Sequence, residues 1–195
     1  MKKKPWYEYL WILSIVYLIL GLFNIIFAWM GMLCFLAPLI ISSVTGNKTY
    51  CHKYCGKAQL LNILGHRLHL SKNNPLPAFL KSKWFRYGFL LFFLTMFGTM
   101  LFNTYLVFAG KNLQQAILLL WTFRVPWEFA YHGSLISPWF AQFAFGLYGL
   151  MLTSTILSLA AMLLFKPRSW CVICPMGTMT QGICHLRSLS AVEIS

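Results

Sequence analysis

The chain has 195 residues, 59% of them hydrophobic and only 10% charged, with a mean hydropathy of +0.67. A soluble domain carries about 25% charged residues, so an ordinary globular enzyme and a disordered basic tail are both excluded. Sixteen Lys and Arg stand against three acids, Glu8, Glu128 and Glu193, with no Asp. Paired-carboxylate hydrolysis therefore has almost nothing to work with. The basic residues lie between long apolar runs, the pattern of cytoplasmic loops in a membrane protein and not of a nucleic-acid surface. The expected class is an all-α integral membrane protein.

In chain order, Lys2, Lys3 and Lys4 precede an apolar stretch from Leu10 to Val44. It is too long for one comfortable span, because a hydrocarbon core of about 30 Å takes about 20 residues. A tight hairpin over 10–44 is expected, turning near Ala28 to Gly31, with Pro38 kinking its second arm. No small-x-small cleavage site follows a short apolar region, so the first arm reads as a retained span and not a signal peptide. Two uncharged runs, 87–109 and 139–165, complete about four transmembrane helices.

Charge sets the orientation. Eight basic residues lie between Lys48 and Arg86, only Lys111 and Arg124 lie between the later spans, and Lys166, Arg168 and Arg187 follow the last one. With the hairpin, both termini and the eight-charge loop fall on the cytoplasmic side, as the positive-inside rule favours. The expected organisation is a single membrane domain over 1–195 with a cytoplasmic cysteine loop at 45–86 and a cytoplasmic cysteine tail at 166–195. The exoplasmic segment 111–138 contains AILLLWTF, too short to span, and is expected to form an interfacial or re-entrant helix. Trp84, Trp121, Trp127, Trp139 and Trp170 sit near span ends or in that segment, where indole rings favour the headgroup zone.

Six cysteines are present: Cys34, Cys51, Cys55, Cys171, Cys174 and Cys184. Four form two pairs, in KTYCHKYCGKAQLL and RSWCVICPMGTM. Each pair follows an apolar span, has a basic residue three before its first Cys and an aromatic just before it. Each ends in Gly or Pro and then in residues able to begin a helix, a weak internal repeat. On a shared cytoplasmic face the pairs can approach each other. Four converging thiolates suit an iron–sulfur cluster, a structural zinc site or a redox-active dithiol. Lys48, Lys53, Lys57 and Arg168 would offset the negative charge of a tetrathiolate cluster. Cys34, in mid-span, and Cys184, ten residues past Cys174, read as small buried apolar residues.

The tract WCVICPMGTMTQGI, with YCHKYCGKAQLL as its counterpart, resembles the membrane iron–sulfur proteins of the NapH and NosR type, and also small stand-alone 4Fe-4S-binding membrane proteins of bacteria. The resemblance covers the two cysteine turns and the span arrangement. It implies a helical core in the bacterial cytoplasmic membrane that passes electrons between quinol, flavin and iron–sulfur centres. Cys51, Cys55, Cys171 and Cys174 fall on the ligand positions of a [4Fe-4S] cluster. Three features depart from the family: Gly56 stands where a Pro is usual, the second pair has two intervening residues instead of three, and no ferredoxin or flavin-binding domain is present.

The resulting expectation is an electron-transfer component relaying single electrons between a membrane carrier, quinone or flavin, and a redox partner. That partner would be a flavoprotein, a ferredoxin-like protein or a membrane subunit, with lipid around the helices and no nucleic acid. The alternatives are a quinone-linked thiol–disulfide oxidoreductase, which stable cytoplasmic reduction disfavours, and a four-cysteine zinc protein. His52 lies inside the first turn and could replace a Cys. His66 and His69 are spaced to share a helix face, as are Arg124, Glu128 and His132, although a solvated face accounts for both sets. Gly98, Gly146 and Gly149 suit close helix packing.

Overall fold

The computed structural model describes residues 9–47, 50–67, 69–114, 116–120, 122–126 and 137–193. They are mostly helical: α1 (Leu10–Phe23), a 3-10 turn (Ile25–Trp29), α2 (Met30–Thr45), a π-turn (Tyr50–Tyr54), α3 (Gly56–Arg67), α4 (Ala78–Lys81), α5 (Lys83–Phe108), the strands β1 (Ala116–Leu119) and β2 (Phe123–Pro126), α6 (Pro138–Leu164), α7 (Trp170–Ile173) and α8 (Pro175–Glu193). Among the described residues three segments are long and apolar enough to cross a membrane: Ile25–Thr45, Lys83–Phe108 and Pro138–Leu164. The 14 residues of α1 rise about 21 Å, short of a core of about 30 Å.

The N-terminal apolar stretch breaks earlier than expected. Asn24 leaves the helix with φ −143° and ψ 115°, and its side-chain oxygen accepts from the Ile26 N–H, so it caps the 3-10 turn. Gly31 at the start of α2 lies against the Tyr17 phenol, and Leu10 shares a groove with Ile41 near the end of α2. The two arms therefore fold back on each other. Pro38 lies inside α2.

The chain forms two compact units, to both of which α1, α2, α5 and α6 contribute residues. One comprises Ile15–Leu33 and Phe92–Ile156. Its core is Ile25, Ala28, Ile117, Ala144, Phe145 and Tyr148. Trp29 stacks on Phe140 with ring centroids 4.2 Å apart. The Tyr148 hydroxyl donates to the Leu18 carbonyl at 2.9 Å, and Gly21 admits the Tyr148 ring. Gly146 packs on Met100 of α5, as expected of a helix contact, whereas Gly149 faces the Leu118 carbonyl of β1 and Gly98 meets none of the described residues.

Within the segment 111–138, expected to form an interfacial or re-entrant helix, Ala116–Leu119 and Phe123–Pro126 instead pair as an antiparallel hairpin, an exception to the all-α expectation. Ile117 pairs with Val125 and Leu118 with Arg124, and Leu120 turns the chain with φ 48°. Backbone groups in apolar surroundings must be paired. The hairpin pairs its strands with each other, and two further amides of the segment bond to side chains of α6. The Gln142 side-chain oxygen accepts from the Gln114 N–H at 2.9 Å. The Thr153 hydroxyl accepts from the Leu120 N–H at 3.3 Å. Ile117 is thereby fully enclosed, at 0% exposure.

The other unit comprises Met1–Ser14, Cys34–Leu91 and Leu157–Ser195. Its core is Leu61, Ala161, Met162, Trp170 and Ile173, with Leu64, Leu80, Phe85 and Phe89 packed around it. Trp170, expected at the headgroup level, is only 4% exposed and meets Phe89 edge-on at 5.7 Å. Trp84, by contrast, is 89% exposed, as an interfacial anchor would be; Trp121 and Trp127 lie outside the described residues. The loop after α3 closes the end of α6: the Ser71 hydroxyl donates to the Phe165 carbonyl and the Lys72 N–H to that of Leu163. Arg187 of α8 likewise donates to the Ser43 and Val44 carbonyls at the end of α2.

Gly149→Ala should lower stability in detergent by about 1–3 kcal/mol, because its new methyl meets backbone that cannot give way. Gly98→Ala should be neutral or stabilising by up to about 1 kcal/mol. Thermal unfolding followed by circular dichroism compares the two; equal midpoints would contradict the packing described.

Candidate metal centre

Both cysteine turns are built by one hydrogen bond from the second cysteine to the aromatic residue that precedes the first. In the second turn the Cys174 N–H donates to the Trp170 carbonyl at 2.8 Å, an α-type return over four residues. In the first the Cys55 N–H donates to the Tyr50 carbonyl at 3.0 Å, a π-type return over five. The extra residue of the C-x3-C pair is absorbed by widening the turn, a device found often at functional sites.

Each second cysteine then caps a helix. The Cys55 carbonyl accepts from the Gln59 N–H at 3.1 Å and opens α3; the Cys174 carbonyl accepts from the Thr178 N–H at 3.0 Å and opens α8. Pro175 stands at the first position of α8, where a missing N–H costs nothing. The equivalent Gly56 has a different reason: a side chain there would run into the Leu10 carbonyl and the Ser14 hydroxyl. Glycine is thus required where α3 presses on α1, and a proline ring would not fit.

The four paired thiols act on one another. Burial pushes the Cys171 thiol up to about 12, and Cys55, Cys174 and Cys51 push in the same direction while Arg168 opposes them. Cys171 nevertheless keeps exposed surface. Cys174 is also raised, by burial first; the N–H groups of Gly177 and Met176, which point at its sulfur, and Lys57 act the other way. The Cys51 sulfur lies 4.0 Å from the Thr180 hydroxyl, which itself donates to the Gly177 carbonyl. The phenol of Tyr50 is raised by burial and by Cys34, Cys55 and Cys51.

Thiols held protonated by crowding are the reverse of an activated redox dithiol, whose thiolate must be favoured. Bound iron inverts that balance, because a coordinating thiol is deprotonated outright. Neighbouring thiols that raise Cys171 and Cys174, the α8 N-terminus aimed at Cys174 and a nearby ammonium suit a net-negative iron–sulfur cluster. Among the described residues no group of three or more His, Cys, Asp or Glu is drawn together around a single ion position.

The remaining candidates separate clearly. Cys34, expected to be a small buried residue, is exposed on α2 and acts electrostatically on Tyr50 and Lys57; nothing in its apolar surroundings in the sequence signals this. Thr180 and Lys57 are further neighbours, of which only Lys57 was legible, as a basic flank. Cys184 is half-buried on α8. The His52 side chain, Glu128 and His132 lie outside the described residues. Arg124 sits exposed in β2, so no helix aligns it with the other two. His66 and His69 share no helix face either, because α3 ends at Arg67 and His69 has φ 50°.

A family model described as a 4Fe-4S binding domain matches residues 27–55 and 147–189. The first segment ends on Cys55 and the second spans Cys171 and Cys174, each preceded by helix from α2 or α6. The match supports an iron–sulfur protein with a [4Fe-4S] cluster and suggests iron–sulfur electron transfer. No curated protein and no solved structure matches the chain.

In metal-free protein a thiol raised to about 12 stays protonated well above its ordinary value of 9.0. Alkylation of Cys171, read by mass spectrometry, should therefore keep accelerating beyond pH 9. A plateau at the ordinary thiol value would contradict the crowding described.

Proposed function

We propose that the chain is an electron-transfer protein of a bacterial cytoplasmic membrane, related to the NapH and NosR type. It holds one [4Fe-4S] cluster on the cytoplasmic side through Cys51, Cys55, Cys171 and Cys174. In this reading α1 completes a four-span arrangement with both termini inside, which the distribution of Lys and Arg favours. Segments 45–86 and 166–195 carry the cysteine turns within a single membrane domain, and 111–138 lies on the other side.

The observation that carries the reading is the repeated turn: two cysteine pairs, each returned onto its preceding aromatic and each opening a helix, lie in one compact unit. A cluster held there supplies one-electron chemistry. The chain's own part is to hold the four sulfurs, direct the α8 amides toward Cys174 and shield the site with Trp170 and its neighbours. Single electrons pass from a membrane carrier, quinone or flavin, to a redox partner, or in reverse. The apolar helices associate with lipid. The partner is a flavoprotein, a ferredoxin-like protein or another membrane subunit.

Anaerobic purification in detergent, with iron, sulfide and zinc analysis, tests this. About four irons and four sulfides per chain are expected, with an EPR signal after dithionite reduction. Cys51→Ser and Cys174→Ser should each lose colour and signal. Stoichiometric zinc without iron would select a structural zinc site, and survival of both properties in the variants would refute the ligand set.

A further inference from the structure

A cavity of about 30 Å³ lies between α5, the entry to β1 and α6. Thr99 and Asn103 of α5, Gln114 before β1 and Gln142 of α6 line it together with Met96 and Met100. All of these residues belong to the same compact unit. Gly146 keeps the space narrow, since α6 packs there directly on Met100. Asn103 is five residues before the end of α5 and Gln142 four after the start of α6. At 1.5 Å per residue the polar wall begins about 6–8 Å inside the ends of two helices long enough to cross a membrane. Amides at that depth need partners, because apolar surroundings supply none.

The hydrogen bonds assign the free atoms. The Gln114 N–H can only donate, so the Gln142 amide turns its oxygen toward it, at 2.9 Å, and keeps its NH2 for another acceptor. Gln142 is only 6% exposed. Among the described residues its NH2 has no acceptor, and the Asn103 amide has no partner. The Thr99 hydroxyl donates to the Met96 carbonyl at 2.8 Å, which leaves its lone pairs able to accept. None of the described residues lining the cavity is charged. A suitable ligand is therefore neutral, small, and able both to donate and to accept. Water meets all three conditions: each molecule takes about 10–15 Å³ of such space and about three hydrogen bonds, so about two fit.

We propose that this cavity is a hydration site, whose ordered water joins α5 to α6. The water accepts from the Gln142 NH2 and donates to the Asn103 side-chain oxygen and the Thr99 hydroxyl. With its NH2 engaged, Gln142 stays turned so that its oxygen meets the Gln114 N–H, which fixes where the chain enters β1. Two primary amides on otherwise apolar helices thereby acquire a common purpose. The site is independent of the cysteine turns and of the cluster reading.

X-ray radiolysis of the full chain in detergent tests this, with methionine oxidation read by mass spectrometry. Radiolysis splits water where it sits, and the hydroxyl radical oxidises a nearby Met to its sulfoxide. Met96 and Met100 are shielded from bulk solvent, at 7% and 6% exposure, but line the cavity. Met162, at 1%, lies in an apolar core. Wild-type protein should therefore be oxidised at Met96 and Met100 and spared at Met162. Asn103→Leu, which removes a polar wall at nearly the same volume, should lose the oxidation at both. Should Asn103→Leu fail to fold, Thr99→Val takes its place with the same expected loss. Met96 and Met100 spared as Met162 is would mean a dry cavity and overturns the proposal. Oxidation undiminished in the variant means that radicals enter from bulk solvent, and overturns it equally.

Discussion

The site depends on a backbone hydrogen bond made twice, from the amide of a cysteine to the carbonyl of the aromatic residue four or five positions earlier. It closes each turn and leaves the carbonyl of the same cysteine free to begin the next helix. A cysteine so placed has a helix behind its sulfur, with N–H groups that lack intrahelical partners. In the second turn two of those groups point at the sulfur itself. Ligand geometry and local electrostatics thus come from one piece of backbone, and the choice between a π-type and an α-type return accommodates pairs of different length.

Around these turns the packing is aromatic and close. Trp170 serves both purposes: its carbonyl receives the Cys174 amide, and its ring fills the core with Leu61, Met162 and Ile173. The second cysteine pair is therefore anchored by a buried ring of about the largest apolar area a side chain offers. The first pair is anchored by contact instead. Gly56 brings α3 against Leu10 and Ser14, and Tyr50 is enclosed beside three thiols. Burial first and the neighbouring thiols second raise Cys171 and Cys174; bound iron would reverse that balance, because a coordinating thiol is deprotonated.

In the unit away from the cysteines the governing constraint is backbone satisfaction. An apolar setting has no water to take up an unpaired amide, and the short segment after α5 meets this by pairing with itself. Gln142 and Thr153, polar residues on an otherwise apolar helix, accept from the two amides flanking the first strand. Gly149 lets that strand approach. Gly149, which in the sequence looked like a helix-packing position, thus accommodates a hairpin.

Much of this was legible locally. The apolar runs of α2, α5 and α6 announce themselves by length, and the helix starts after both cysteine pairs by Gly or Pro after the second cysteine. The two cysteine turns were readable because spacing, flanking aromatics and flanking charges recur, and all of these are encoded within a dozen residues. What escaped depends on partners distant in sequence. AILLLWTF has the hydrophobicity of a short helix; pairing with Phe123–Pro126 and with side chains of α6 makes it a strand. Trp170 has the sequence setting of an interfacial indole, and Phe89 and Leu61 bury it. Cys34 sits in an unremarkable apolar run, and Lys57 is one of eight basic residues in its loop. Composition and spacing determined the long apolar helices and the two cysteine turns. Only the tertiary structure decided which other groups stand beside those turns, because proximity between residues far apart in sequence is a property of packing and leaves no periodic trace.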